Sequence, residues 1–273
     1  MNTLRHRVLS LALLGGAVAG ALAALPATGH AAAAGTSSAQ VRTNGGQLQL
    51  DYIGSADAND VLITREAGGA IRVSDSVTIV PGPGCSPVDG DPTTVRCSAG
   101  IPRLQVRLGD GDDRFRTLVP FQGYVEGDNG NDTFSVGAAE GGVASRIMYA
   151  GHLGEDTTTY EGTTTGVTVT LDFAYNDGRP ASGTRPADQD NIQTENIVGT
   201  SFGDRLTGDR LDNEITPGRG RDTVSGGNGN DLIDVRDDEA ENSVQCGDGG
   251  ADRAVADRAA LDPVNADCEQ ISR

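Results

Sequence analysis

GTSFGDRLT, GDRLDNEIT, PGRGRDTVS and GGNGNDLID follow one another without a gap from Gly199 to Asp234. With each block numbered one to nine, position six holds Asp204, Asn213, Asp222 and Asp231, and position eight holds Leu206, Ile215, Val224 and Ile233. A period of nine belongs neither to a helix, which repeats every ~3.6 residues, nor to a lone strand, which repeats every two. It fits a coil in which six residues turn and three form a short strand, each strand pointing one large apolar side chain inward. Two blocks then close one circuit. Residues eighteen apart stack, Asp204 over Asp222 and Asn213 over Asp231. A flexible Gly/Asp linker has no reason to hold Leu, Ile and Val at one phase.

The residue types follow from the geometry. Glycines at positions one, two and four let the turn visit positive φ and draw carbonyl oxygens together. The position-six carboxylate then lies beside a cluster of backbone oxygens, which suits calcium, a hard cation that takes six to eight oxygen ligands in flexible geometry. Layers ~4.8 Å apart would carry stacked carboxylates that repel one another unless a cation lay between them.

The block Gly226–Asp234 matches G-G-x-G-x-D-x-(large apolar)-x at every fixed position, and on these residues the chain resembles the haemolysin-type, or repeats-in-toxin (RTX), calcium-binding family. The block from Pro217 departs only at position one, and those from Gly199 and Gly208 keep only the first glycine, so these two are expected to bind more weakly or only to continue the coil. The resemblance implies an all-β fold, a right-handed parallel β-roll or β-helix solenoid, with Ca2+ between successive turns.

A second, less regular set of acidic turns precedes the central one. LGDGDDRFR from Leu108, GDNGNDTFS from Gly127 and GHLGEDTTT from Gly151 place Asp113, Asp132 and Asp156 at position six, on one shared edge. Candidate calcium residues are therefore Gly109, Gly111 and Asp113; Gly130 and Asp132; Asp156; Asp204; Asn213; Gly218, Gly220 and Asp222; Gly227, Gly229 and Asp231; and Asp252, in a decayed block.

Composition points the same way. Thirty-nine glycines and no tryptophan argue against a core of large side chains, whereas a solenoid needs only a thin aliphatic one. Residues 1–33 read as a secretory signal: Arg5, His6 and Arg7, then an apolar run from Val8 to Leu25, with cleavage after Ala31 or Ala33. All 21 basic residues are arginine, two of them in the signal, and all 39 acidic residues follow it, leaving 19 − 39 = −20 on the mature chain. Such a surface repels nucleic acid, and no later stretch is apolar enough to span a bilayer. Divalent cations are the expected counter-charge. The four cysteines favour disulfides in an exported chain, and proximity favours Cys85 with Cys97 and Cys246 with Cys268.

The remaining segments are expected as follows: 34–46 a flexible lead-in; 47–107 an N-terminal β region with the Cys85–Cys97 loop, capping the roll or forming a separate sheet; 108–160 irregular acidic-turn coils; 161–198 a strand and polar insertion; 199–235 the regular roll; and 236–273 degenerate repeats with a disulfide-tied C-terminal cap. Catalysis is not expected. Gly199–Gly203 satisfies G-x-S-x-G but lacks a downstream histidine, the mature chain's single His152 rules out H-E-x-x-H, and the absence of lysine rules out a P-loop. The expectation is a secreted, extracellular calcium-binding protein. A calcium-rigidified surface adhesion or matrix-interaction protein stands second, with outward Arg205, Thr207, Glu214, Thr216, Thr223, Ser225, Leu232 and Asp234, and a secreted hydrolase third.

Overall fold

A computed structural model describes residues 35–137 and 143–273. The secretory signal expected at 1–33 lies outside the described residues. Among those described, every regular element is a strand, in three sheets. A four-stranded sheet is wholly parallel, in the order Thr168–Thr170, Arg205–Thr207, Thr223–Asn228, Ser243–Asp248. The other two sheets, of seven and twelve strands, are mixed.

The twelve-stranded sheet is parallel from Gln270–Ser272 through Arg253–Val255, Leu232–Asp234, Glu214–Thr216, Asn196–Val198, Thr157–Thr159, Thr133–Ser135 and Arg114–Thr117 to Asp60–Arg65. It turns antiparallel at Ala70–Ser74, Asp91–Ala99 and Cys85–Val88. The seven-stranded sheet runs parallel from Asn191–Gln193 through Arg146–Leu153, Gln122–Asn129 and Arg103–Asp110 to Gln47–Ile53; Thr36–Asn44 pairs antiparallel with the last, and Thr78–Pro81 forms the edge.

The eighteen-residue spacing is realised in the register. Leu206 pairs with Val224, and Ile215 with Ile233. Each position-eight side chain therefore lies on its counterpart one layer away, and the core consists of such columns. One runs Val61, Phe115, Phe134, Thr158, Ile197, Ile215, Ile233, Ala254; another runs Val169, Leu206, Val224, Val244; all are buried. Burying an aliphatic side chain contributes about 1.5–3 kcal/mol, so a thin column suffices when every layer adds to it. Tyr149 of the seven-stranded sheet meets Phe115 and Phe134 of the twelve-stranded one, with ring centroids 6.4 and 5.7 Å apart.

Several expectations change. Within the expected lead-in, Thr36–Asn44 is a strand hairpinned onto Gln47–Ile53, with Gly45 and Gly46 at positive φ in the turn. Its inward side chains, Ser37, Ala39 and Val41, are too small to stand out as an apolar pattern. The N-terminal strands form no separate sheet, because Gln47–Ile53 and Asp60–Arg65 continue the two large sheets. The Cys85–Cys97 segment is a hairpin whose bonded cysteines face each other across the two strands. Cys246 and Cys268 are bonded, and the chain then adds Gln270–Ser272 as the last strand of the large sheet.

Candidate functional site

Just before most parallel strands of the twelve-stranded sheet, and before two strands of the four-stranded one, sits a buried polar side chain: Asn59, Asp113, Asp132, Asp156, Asn213, Asp231 and Asp252 in the first, Asp204 and Asp222 in the second, with half-buried Glu195, buried Glu241 and exposed Glu269 in related places. These side chains form two ladders. In the longer one the Asn59 N–H donates to Asp113 Oδ1 (2.7 Å), Asp113 N–H to Asp132 Oδ1 (2.9 Å), Asp132 N–H to Asp156 Oδ1 (2.8 Å) and Asp156 N–H to Glu195 Oε2 (3.0 Å). The line resumes with Asn213 N–H to Asp231 Oδ1 (2.9 Å), Asp231 N–H to Asp252 Oδ1 (2.8 Å) and Asp252 N–H to Glu269 Oε2 (2.8 Å). In the shorter ladder Val167 N–H donates to Asp204 Oδ1, Asp204 N–H to Asp222 Oδ1 and Asp222 N–H to Glu241 Oε2, at 2.7, 2.7 and 2.6 Å. Asp113, Asp132 and Asp156 thus share one edge, as their spacing indicates. Each carboxylate caps the layer before it, satisfying an inward N–H that the strand ladder does not reach.

The fate of the second oxygen divides the layers into two kinds. In Asp113, Asp132, Asp156, Asp222, Asp231 and Asp252, Oδ2 is buried and accepts no hydrogen bond. In the block from Gly199, Asp204 Oδ2 instead accepts Thr200 N–H at 2.6 Å, and in the block from Gly208, Asn213 Oδ1 accepts Asp209 N–H at 2.9 Å. The turn backbone is the cause. Where position two or four is left-handed, the turn opens away from the carboxylate: Gly109 and Gly111, Asp128 and Gly130, His152 and Gly154, Gly218 and Gly220, Gly227 and Gly229, and Gly247 all have positive φ. The blocks from Gly199 and Gly208 lack both glycines and close on themselves, with Phe202 N–H and Leu211 N–H donating to Thr200 Oγ1 and Asp209 Oδ1. His152, at φ 81° in position two, lies near the end of the strand Arg146–Leu153.

Position-one glycine has a different role from the one its sequence suggests: Gly199, Gly208 and Gly226 are not at positive φ. A Cβ at Gly226 would stand 2.3 Å from Asp231 Oδ2 and 2.4 Å from the Cys246 carbonyl oxygen; one at Gly127 would stand 1.9 Å from Asp132 Oδ2 and 2.9 Å from the Gly151 carbonyl oxygen. Glycine there leaves room in which a carboxylate oxygen and the next layer's carbonyl approach each other.

Burial pushes these acids toward neutrality: Asp113 to about 8, Asp132 to about 6, and Asp156, Asp222 and Asp231 to about 7, with neighbouring acids adding to the rise. Among the described residues no three His, Cys, Asp or Glu side chains converge as a metal-binding group. Any cation at these turns would draw most of its ligands from backbone carbonyls, as hard cations commonly do.

Three ladder members escaped the sequence reading. Glu195, Glu241 and Glu269 take the carboxylate role where the repeat is irregular, and Glu241 is pushed up to about 8 by burial, with Asp222, Asp237 and Asp262 adding to the rise. Their signal is spacing: Glu195 lies eighteen before Asn213 and Glu241 nineteen after Asp222. The polar insertion also holds unforeseen buried acids. Asp177 accepts Thr170 N–H and Ile192 N–H, Asp190 accepts Ser145 Oγ–H and Ile147 N–H, and Asp188 pairs with Arg179 and Arg185. No helix among the described residues is long and apolar enough to cross a membrane. No family model matches the chain, and no curated protein matches it.

Proposed function

We propose that this is a secreted calcium-binding protein of RTX type, built as a right-handed parallel β-roll whose glycine turns take up Ca2+ between layers. The observation that carries the reading is the division of the layers. Every turn with a left-handed position two or four leaves a buried carboxylate oxygen without a donor, and the two turns that lack this backbone satisfy theirs. An unsatisfied buried carboxylate oxygen is costly, and a cation is the partner that removes the cost without a proton. The residues fit the ion. Asp113, Asp132, Asp156, Asp222, Asp231 and Asp252 would hold it through the second oxygen, with carbonyls such as those of Gly151 and Cys246 alongside. Calcium supplies the positive charge between layers; the chain supplies inward carboxylates, carbonyls and the glycines that leave them space. Two disulfides suit an oxidising compartment. Ion binding and folding then share one free energy.

Isothermal titration of chelator-stripped protein with CaCl2 tests the reading. Binding in the range of extracellular modules, about 10−4–10−3 M, is expected. Asp222→Asn should remove part of the binding heat, the share of its own turn, while Asp204→Asn leaves it unchanged. No heat up to millimolar calcium, or equal loss from both variants, would overturn it.

A further inference from the structure

The outer face of the seven-stranded sheet carries a charge pattern opposite to that of the rest of the chain. One row across five neighbouring strands reads Arg42, Gln49, Arg103, Gln122, Arg146, each directly paired with the next in the register. Arginine and glutamine alternate without interruption. The further rows on the same face add Asp51, Arg107 ion-paired with Glu126, and Asp128. The face therefore bears Arg42, Arg103, Arg107 and Arg146 against Asp51, Glu126 and Asp128, which is 4 − 3 = +1, in a chain with 39 acidic and 21 basic residues.

The side chains are held in place. Arg42 ion-pairs with Asp51 and donates to Gln105 Oε1 at 2.9 Å; Gln49 Nε2 donates to Asp51 Oδ1 and Gln105 Oε1 at 2.6 and 3.0 Å; Arg103 Nη1 donates to the Asn44 carbonyl at 3.3 Å. Arg146 donates to Gln189 Oε1 at 3.1 Å, and its guanidinium lies 4.6 Å from the ring centroid of Tyr175, one of the few exposed aromatics. A guanidinium has five donors, so each arginine of the row keeps donors for a ligand.

We infer that this face binds a linear acidic polysaccharide bearing one carboxylate per disaccharide, laid across the strands. Strands lie ~4.8 Å apart, so arginines on every second strand recur at ~9.6 Å, the scale of a disaccharide in an extended glycan. Each guanidinium meets a carboxylate with bidentate geometry, Gln122 meets the intervening sugar's hydroxyl or amide groups, and Tyr175 offers a stacking surface at the end of the row. The acidic turns at the strand ends repel a polyanion elsewhere and confine it to this face. The site lies on outward side chains and is independent of the inward carboxylates assigned to calcium.

The test is affinity electrophoresis and calorimetry of the mature, calcium-equilibrated protein with hyaluronate, in which glucuronate alternates with N-acetylglucosamine, against dextran and polyphosphate. Retention by hyaluronate but not dextran is expected, falling with added salt. The double variant R103E/R146E should weaken it about tenfold or more, as loss of two charge-assisted contacts implies. Arg116→Glu, on the twelve-stranded sheet, should not. Circular dichroism of each variant confirms an unchanged fold. Absence of retention, equal retention by dextran, retention by polyphosphate alone, or binding that survives R103E/R146E would overturn the inference, and each leaves the calcium titration to stand or fall separately.

Discussion

At Gly226 the backbone is not left-handed, yet a Cβ there would press on Asp231 Oδ2 and the Cys246 carbonyl at 2.3 and 2.4 Å. Neither atom is the far end of a flexible chain: one is backbone and the other belongs to a buried ladder. Gly226→Ala is expected to cost about 1–3 kcal/mol, the range for overpacking, while Gly250→Ala, with nothing within 4 Å, should be near neutral; urea unfolding midpoints compare them. Asp231→Asn separates the two roles of the ladder carboxylate. The amide oxygen still accepts Asn213 N–H, and the buried charge is gone. Without calcium this variant should be more stable than the parent at pH 8 by about 1 kcal/mol, the low end of the cost of an unsatisfied buried polar group. With calcium it should lose part of the parent's gain in Tm. A variant that is less stable under both conditions would show that the second oxygen already has a partner.

The elements show how far local pattern reaches. Position eight of the central blocks named the inward side chains correctly, because a three-residue strand at constant phase leaves one inward place and an apolar residue fills it. The segment 47–107, expected only as a β region, holds the strands Gln47–Ile53, Asp60–Arg65 and Ala70–Ser74, and Arg103–Asp110 runs across its end. The turn chemistry was read only in part. Left-handed glycines at positions two and four are a local demand, whereas the need for glycine at position one comes from the neighbouring layer, which no single block contains. Glu241 and Glu269 were missed because a longer side chain reaches the same N–H from a stretch out of phase, and Glu195, although in phase with Asn213, because it is not an aspartate. Asp177 and Asp190 were invisible because their burial depends on a pairing thirteen residues apart inside a segment without period. The cysteines lie at the two ends of the stacked elements, and each should hold a terminal element in place. Loops of 12 and 22 residues imply roughly 3 kcal/mol apiece in the chain-entropy model. Replacing Cys246 and Cys268 by serine should raise amide exchange in Gln270–Ser272 and Ser243–Asp248 first, with Gln47–Ile53 still protected. Uniform loss of protection would mean that the stacked sheets unfold as one unit.

Over the whole molecule the inward acids set a pH dependence whose sign differs from that of most proteins. Asp113, Asp132, Asp156, Asp177, Asp190, Asp222 and Asp231 have folded-state values of about 6 to 8, raised by burial from the ordinary 3.8, and Glu241 stands at about 8, raised from 4.5. A group whose folded value is raised contributes stability that is fully present below its unfolded value and is lost as pH rises through the folded value. Through these groups the ion-free protein should therefore be most stable below about pH 4 and lose stability steadily from about pH 4 to about pH 8, whereas salt-bridged carboxylates lose theirs on acidification. Calcium must displace the protons from the acids it meets, so its affinity rises with pH over the same interval and offsets the loss. Asp177 and Asp190 lie off the proposed calcium turns and should keep a residual fall in stability even when calcium is saturating. Thermal unfolding at pH 5, 6, 7 and 8, in chelator and in excess calcium, measures both slopes. The expected pattern is a Tm that falls steeply with pH in chelator and weakly in calcium. A Tm that rises with pH in chelator would mean that the ladder carboxylates are ionised and fully partnered within the chain, which removes the physical reason for an ion between the layers.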